Sequence, residues 1–321
     1  MPPHMAETLE AELRAVFDRF ITTEYVTVDG RGQPIAWPVT PYPHDDGGTC
    51  IDVTTGLGYP KKARDAQRNP KVALLFSDPT GSGLDDPPAV LVQGTARVDE
   101  ADLEANMKRY LREGAVKLPK ANEKMPPEPL HRFLRWYLDR IYIHVKPERV
   151  LVWPGGDIAT APQVVLGTGL EGQSLQSGSG LEGQTSESAW QPRLDQLGTT
   201  YPTAVLAVVG ADGYPIAVRV PVRPDQAAGL VRLTATPAGI PLAPGRACLT
   251  AHAHGPEFEW QRNFQVRGPL TQTDDGWALQ PRRLVGGFEI PQSQIGILRE
   301  NFRKVMRYRK IAKAELARRS A

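Results

Sequence analysis

The chain has 321 residues, a formal net charge of +2, 40% hydrophobic and 23% charged residues, and two cysteines, Cys50 and Cys248, each inside an apolar run. These values exclude a disordered chain and a disulfide framework, and the bulk charge is too small to argue for nucleic acid or a membrane surface. The opening MPPHMAETLEAELRAVF has no basic stretch ahead of an apolar one, and no run reaches the ~18 apolar residues of a membrane span, so the expected location is cytoplasmic.

Leu9, Leu13, Val16, Phe17 and Phe20 recur at helical spacing, which predicts a helix over Leu9–Phe20. The period then changes. Glu24–Val28 and Pro34–Thr40 read as strands around the tight turn Asp29-Gly30-Arg31-Gly32, and Cys50–Thr54 reads as a third. A basic, helix-like stretch runs from Tyr59 to Asn69 and stops at Pro70. Val72–Phe76 and Ala89–Val98 read as strands, and Asp102–Arg112 and Pro129–Leu138 as helices. Ile141–Val145 and Arg149–Trp153 close the first half as strands.

Between Gly155 and about Asp195 the composition turns to Gly and Ser, and Gly-Leu-Glu-Gly-Gln occurs twice, at Gly169–Gln173 and Gly180–Gln184. Such a stretch buries too little to offset its ordering entropy and reads as a flexible linker. Beyond it the first half recurs. Pro34-Ile35-Ala36 returns as Pro215-Ile216-Ala217, Thr54 as Thr234, and Val92-Gln93-Gly94 as Val266-Arg267-Gly268. The counterpart of the basic stretch, Pro237–Pro244, has no Lys and three Pro, so the second copy has lost its charged helix. The expected organisation is a first domain over 1–156, a linker over 157–195, a degenerate second domain over 196–292 and a basic C-terminal helix over 293–321.

Thr54-Thr55-Gly56 at a strand end, followed by Lys61-Lys62-Ala63-Arg64 at a helix start, gathers hydroxyls, free N–H groups and cations. That set suits a dianion, and it equally suits a solvated basic helix. The ordered set of Gln33–Val39, Thr54-Thr55, Lys61–Arg64, Asn69–Val72 and Val92–Ala96, with the tail Arg140–Trp153, resembles the pyridoxamine-phosphate oxidase-like, flavin-binding split β-barrels. The likeness runs over about residues 10–155 and more weakly over 198–292. It implies a mainly β fold of two tandem split barrels with peripheral helices. It further implies FMN, or a deazaflavin relative, with the phosphate on Lys61 and Lys62 beside Thr54 and Thr55. Trp37, Pro38 and Val39 would lie along the isoalloxazine ring, within reach of Gln93. The substrate-binding Arg and His of true pyridoxamine-phosphate oxidases have no counterpart here, which speaks against oxidation of vitamin B6.

Split barrels of this kind bind flavin at a subunit interface, so the second copy can act as the partner within one chain, in addition to any homodimer. The expectation is an intrachain pseudo-dimer holding one cofactor and acting as an oxidoreductase on a small-molecule substrate, since a flavin carries the electrons itself. A non-catalytic flavin- or haem-binding protein is the alternative. His252 and His254, two apart on one strand face, offer a metal or haem pair but lack a third ligand, and read as a solvent-facing strand end. His131 and His144 read as isolated, with no metal site assigned. The basic run Asn301–Lys310 reads as a helix docked by Phe302, Val305 and Met306, with its charges in water rather than on nucleic acid.

Overall fold

The computed structural model describes residues 3–44, 50–123, 125, 127–176, 193–287 and 297–319. The fold is mainly β. In the first half, α1 (Pro3–Arg19) precedes β1 (Thr23–Val28), β2 (Pro34–Val39), β3 (Pro41–Pro43) and β4 (Ile51–Gly56). Then come α2 (Lys61–Arg68), β5 (Lys71–Phe76), β6 (Ala89–Asp99), α3 (Leu103–Lys117), α4 (Pro119–Glu123), α5 (Arg135–Leu138), β7 (Arg140–Trp153) and β8 (Gln163–Leu166). The second half holds β9 (Thr203–Val209), β10 (Pro215–Asp225), β11 (Leu230–Leu233), β12 (Gly245–His254), β13 (Gln261–Thr273), β14 (Gly276–Leu279) and β15 (Arg283–Gly286). The C-terminal helix α6 is Ile297–Arg319.

The first eight strands form a half-barrel sheet in the order β2-β1-β5-β6-β7-β4-β3, with β8 on β7. The other seven run in the order β12-β9-β10-β11-β14-β13-β15, and the added β12–β13 pairing closes the first six into a barrel, with β15 on β13. In the half-barrel, Val26 pairs with Ala36 and Ala73, and Pro41 with Val53. In the barrel, Ala207 pairs with Ala217 and Cys248, and Val222 with Leu233.

Alternation along β1, β5 and β6 ties the halves together. Tyr25, Val72, Leu74, Phe76, Val90 and Val92 point into the first core, while Val26, Ala73, Leu75 and Leu91 join a second core with Val205, Leu206, Ile216 and Leu249. A strand buried on both faces reads as an unbroken apolar run, which explains Lys71-Val-Ala-Leu-Leu-Phe76. Gly94 sits at a register shift in β6, where a Cβ would meet the Lys146 carbonyl, and at Gly268 in β13 a Cβ would meet the Gln280 carbonyl. Close backbone approach, which only glycine allows, explains both.

Three sequence expectations change. Ile141–Val145 and Arg149–Trp153 are one long strand, β7. The stretch read as linker is ordered where described: β8 pairs with β7, and Leu170 and Leu175 are buried in the shared core, whereas the second Gly-Leu-Glu-Gly-Gln lies outside the described residues. On α6, Met306 is exposed, and the docked side is Val305, Tyr308 and Ala312. Phe302 lies outside the residues whose side chains are described.

Candidate functional site

A cleft of about 510 Å³ opens where the first half, the second barrel and α6 meet. From the first half it takes Trp37, Pro38, Val39 and Thr40 at the end of β2, Thr54 on β4, and Pro60, Lys61 and Lys62 at the start of α2. The second half adds Phe258, Asn263, Gly286 and Gly287, and α6 adds Arg307, Tyr308 and Ile311. Gly287 passes so close to the indole of Trp37 that a Cβ there would lie 2.9 Å from Cζ3.

The loop from β4 into α2 is held from several sides. Thr55 is buried and its hydroxyl donates to the Tyr59 carbonyl at 2.9 Å. The N–H of Leu57 donates to Asp139 at 3.1 Å, and that of Gly58 to Trp136 at 2.8 Å. Tyr308 stacks on Trp136 with centroids 5.2 Å apart and meets Tyr59 edge-on at 5.6 Å. Ion pairs from Arg64 to Glu315 and from Arg319 to Glu100 pin the far end of α6. The basic C-terminal helix is thus a wall of the cleft, docked on the first half.

The two lysines differ. Lys61 is exposed and committed to Asp65 at 2.8 Å. Lys62 is half-buried, makes no ion pair among the described residues, and lies 5.7 Å from the ring centroid of Tyr59. Burial, with Arg140 nearby, pushes its pKa down to about 8. Arg140 opens β7, is 4% exposed, donates to the Tyr59 hydroxyl at 3.1 Å, and lies on the rings of Tyr110 and Tyr137 at 3.8 and 4.1 Å. Burial raises the pKa of the Tyr59 and Tyr110 phenols, so both remain O–H groups at neutral pH. Lys62 and Arg140 therefore bring to the cleft positive charge that no carboxylate among the described residues pairs with, set directly against the rings of Tyr59, Tyr110 and Tyr137.

Of the residues singled out in the sequence, Trp37, Pro38, Val39, Thr54, Lys61 and Lys62 line this one cleft, and Thr55 lies beneath it. Gln93 does not line it. Its amide donates to the Pro215 carbonyl at 2.7 Å and its oxygen accepts from Arg149, which pairs with Asp212 across the seam.

The histidines depart from their sequence reading. His252 and His254 are buried in the seam: His252 Nε2 is 2.6 Å from Glu24, and His254 Nε2 is 3.1 Å from Thr22. Their partners belong to the other half, which a strand-end reading could not supply. His144 is not isolated: its Nδ1 lies 2.7 Å from Asp52, as does that of His44. Arg109 also donates to Asp52, at 2.6 Å. Burial alone would raise the pKa of Asp52, but His144, His44 and Arg109 outweigh it and hold the carboxyl below its usual range. His44, Asp52 and His144 could group around a cation, but the carboxylate they share is already matched by Arg109.

Arg140 is the cleft residue missed in the sequence. Its setting is made by Tyr59, Tyr110 and Tyr137, from a loop and two helices, and its place at the head of the closing strand is the one signal the sequence carries.

No family model matches the chain, and no curated protein matches it. Among solved structures, about half the chain is similar to pyridoxamine-phosphate oxidase-like proteins. General stress protein 26 of Bacillus anthracis is 18% identical, covering 49% of this chain and 98% of its own, with a TM-score of 0.32. A pyridoxamine 5'-phosphate oxidase-related, FMN-binding protein of Nostoc punctiforme is 16% identical over 47% of this chain and 84% of its own, with a TM-score of 0.32. An F420 reductase is 20% identical over 43% of this chain and 94% of its own, with a TM-score of 0.31. Scores this low carry no argument about function, which rests below on the cleft itself.

Proposed function

We propose that the cleft holds one phosphate-bearing flavin per chain, FMN or a deazaflavin, and that the protein is an oxidoreductase acting through it on a small organic molecule. The observation that carries this is the pairing of an unneutralised cation, Lys62, with the strand Trp37–Thr40 in a cleft of about 510 Å³. That volume falls in the range of about 300–1,000 Å³ usual for small-molecule sites. Lys62 and Thr54 would hold the phosphate, and Trp37, Pro38 and Val39 would flank the ring system. Phe258 and Ile311 add apolar surface to the lining. Bound there, a flavin supplies the electron or hydride transfer, and the protein supplies grip, orientation and dryness.

The same proposal treats the second barrel as a degenerate tandem copy that serves as an internal partner. Pairing supports this residue by residue. Val26, Ala36 and Ala73 correspond to Ala207, Ala217 and Cys248, and Pro41 with Val53 to Val222 with Leu233. Gly94 and Gly268 are matched and equally crowded by a crossing carbonyl. Where the first half has α2, the second has the irregular Pro237–Pro244 without a lysine. One cofactor per chain follows. The test is the absorption spectrum and mass of whatever copurifies. A flavin that turns over with a reductant supports the oxidoreductase, a flavin or haem without turnover supports a storage or sensing protein, and a colourless chain that binds no added flavin defeats both.

A further inference from the structure

Arg140 is buried and positively charged, and no carboxylate among the described residues pairs with it. An arginine cannot shed its proton, so burial must be offset by partners. Those present are one phenol hydroxyl, from Tyr59, and the faces of Tyr110 and Tyr137. They stabilise a cation weakly compared with a carboxylate. Moreover Nε, a good donor, is buried with no acceptor among the described residues. A buried guanidinium left short of acceptors in the wall of a cleft is a site awaiting an anion.

The surrounding charges set the valence of that anion. Asp65 pairs with both Lys61 and Arg68, and Asp29 lies 3.9 Å from Lys61, so two acids match these two cations, while Arg307 stands exposed, where water screens it. Lys62 and Arg140 remain, and both meet Tyr59 in the cleft wall, Lys62 5.7 Å from the centroid of its ring and Arg140 3.1 Å from its hydroxyl. We propose that Arg140 and Lys62 form a receptor for a dianionic phosphate monoester, with Arg140 the residue that makes the cleft demand the phosphate. The planar fork of Arg140 presents donors to two phosphate oxygens, and Lys62 supplies a point charge. The hydroxyl of Tyr59, which already accepts from Arg140, joins the two. This rests on the flavin reading only for what the phosphate is attached to.

The test uses the full chain, with FMN and riboflavin followed by flavin fluorescence and inorganic phosphate by calorimetry. Arg140→Met should weaken FMN by about 100-fold or more, the loss of two charge-assisted hydrogen bonds, and leave riboflavin within about threefold. Arg140→Lys keeps the charge without the fork and should weaken FMN by about tenfold, so it serves if Arg140→Met does not fold. Phosphate binding that depends on Arg140, in a chain that binds no FMN, upholds the receptor and overturns the flavin reading. FMN binding indifferent to both substitutions upholds the flavin and overturns the receptor. Equal losses for FMN and riboflavin overturn it as well, because Arg140 would then only shape the pocket.

Discussion

Gly58 and Tyr308 touch so closely that a Cβ added to Gly58 would lie 2.8 Å from the Cβ of Tyr308. The loop that carries Lys62 into the cleft and the helix that walls it are therefore fitted to each other. A side chain at position 58 cannot be relieved by a rotamer change, since the near atom on α6 is itself close to the backbone. Gly58→Ala is expected to lift α6 from Trp136 and Tyr59, at a cost of about 1–3 kcal/mol, the usual range for overpacking. Hydrogen exchange should rise across 305–319 with little change in β9–β14. Unchanged protection would mean that α6 is not held by this contact.

Lys61 and Lys62 are adjacent in sequence but not equivalent in setting. Lys61→Ala removes a side chain already spent on Asp65, so flavin affinity should change by less than about threefold, as for an exposed ion pair. Lys62→Ala should carry nearly all the loss, about 10–100-fold. Titration of both single variants with FMN checks this. The reverse order would place the phosphate on the outer face of α2.

The low pKa of Lys62 gives the site a pH signature. Its amine is charged below about 8 and neutral above, and burial with Arg140 beside it is the cause. A phosphate monoester becomes dianionic above its second pKa of about 6. FMN affinity should therefore be greatest between these two values and fall by about tenfold as pH rises toward 10. Lys62→Met should abolish that fall. A wild-type profile flat from pH 7 to 10 would show that Lys62 does not meet the ligand.

The seam between the halves should fail in acid. Burial alone would raise the pKa of Glu24, but Arg219 at 2.9 Å and His252 at 2.6 Å outweigh it and hold the carboxyl below its ordinary value of 4.5. A depressed carboxyl stabilises the fold above its unfolded pKa and loses that contribution as pH falls through the folded value. Burial likewise depresses His254 below its usual 6.5, so its protonation on unfolding also favours the unfolded chain as pH drops. Tm should decline as pH falls below about 6.5, where the unfolded His254 takes up a proton, and decline further below about 4.5, where the unfolded Glu24 does. Arg219→Met, which removes the largest compensating charge from Glu24 but leaves His252 and Ser77, should cost about 1–3 kcal/mol at pH 7. A loss below about 1 kcal/mol would show that His252 and Ser77 suffice to hold Glu24.

How much of this was legible beforehand follows from where each partner lies in the chain. Val72–Phe76 was legible as a strand because its own residues carry the pattern, whereas its burial on both faces depends on the second core. Lys62 and Trp37 were found because strand, turn and basic helix stand in a familiar order. Arg140 gained its meaning from burial among Tyr59, Tyr110 and Tyr137, and His252 from Glu24 in the other half, contacts that no local window contains. The stretch after Gly155 misled for a related reason. Its low apolar content does not reveal that Leu170 and Leu175 sit on a core built by distant strands, or that β8 finds an open edge on β7.

The central claim is one phosphate-bearing flavin per chain, held in the cleft between the two halves. Titrating the purified chain with FMN and following absorbance to saturation tests it most directly. The expected end point is one FMN per chain, reached by Lys62→Ala only at about 10–100-fold higher FMN. Saturation at two, or no binding at all, would contradict it.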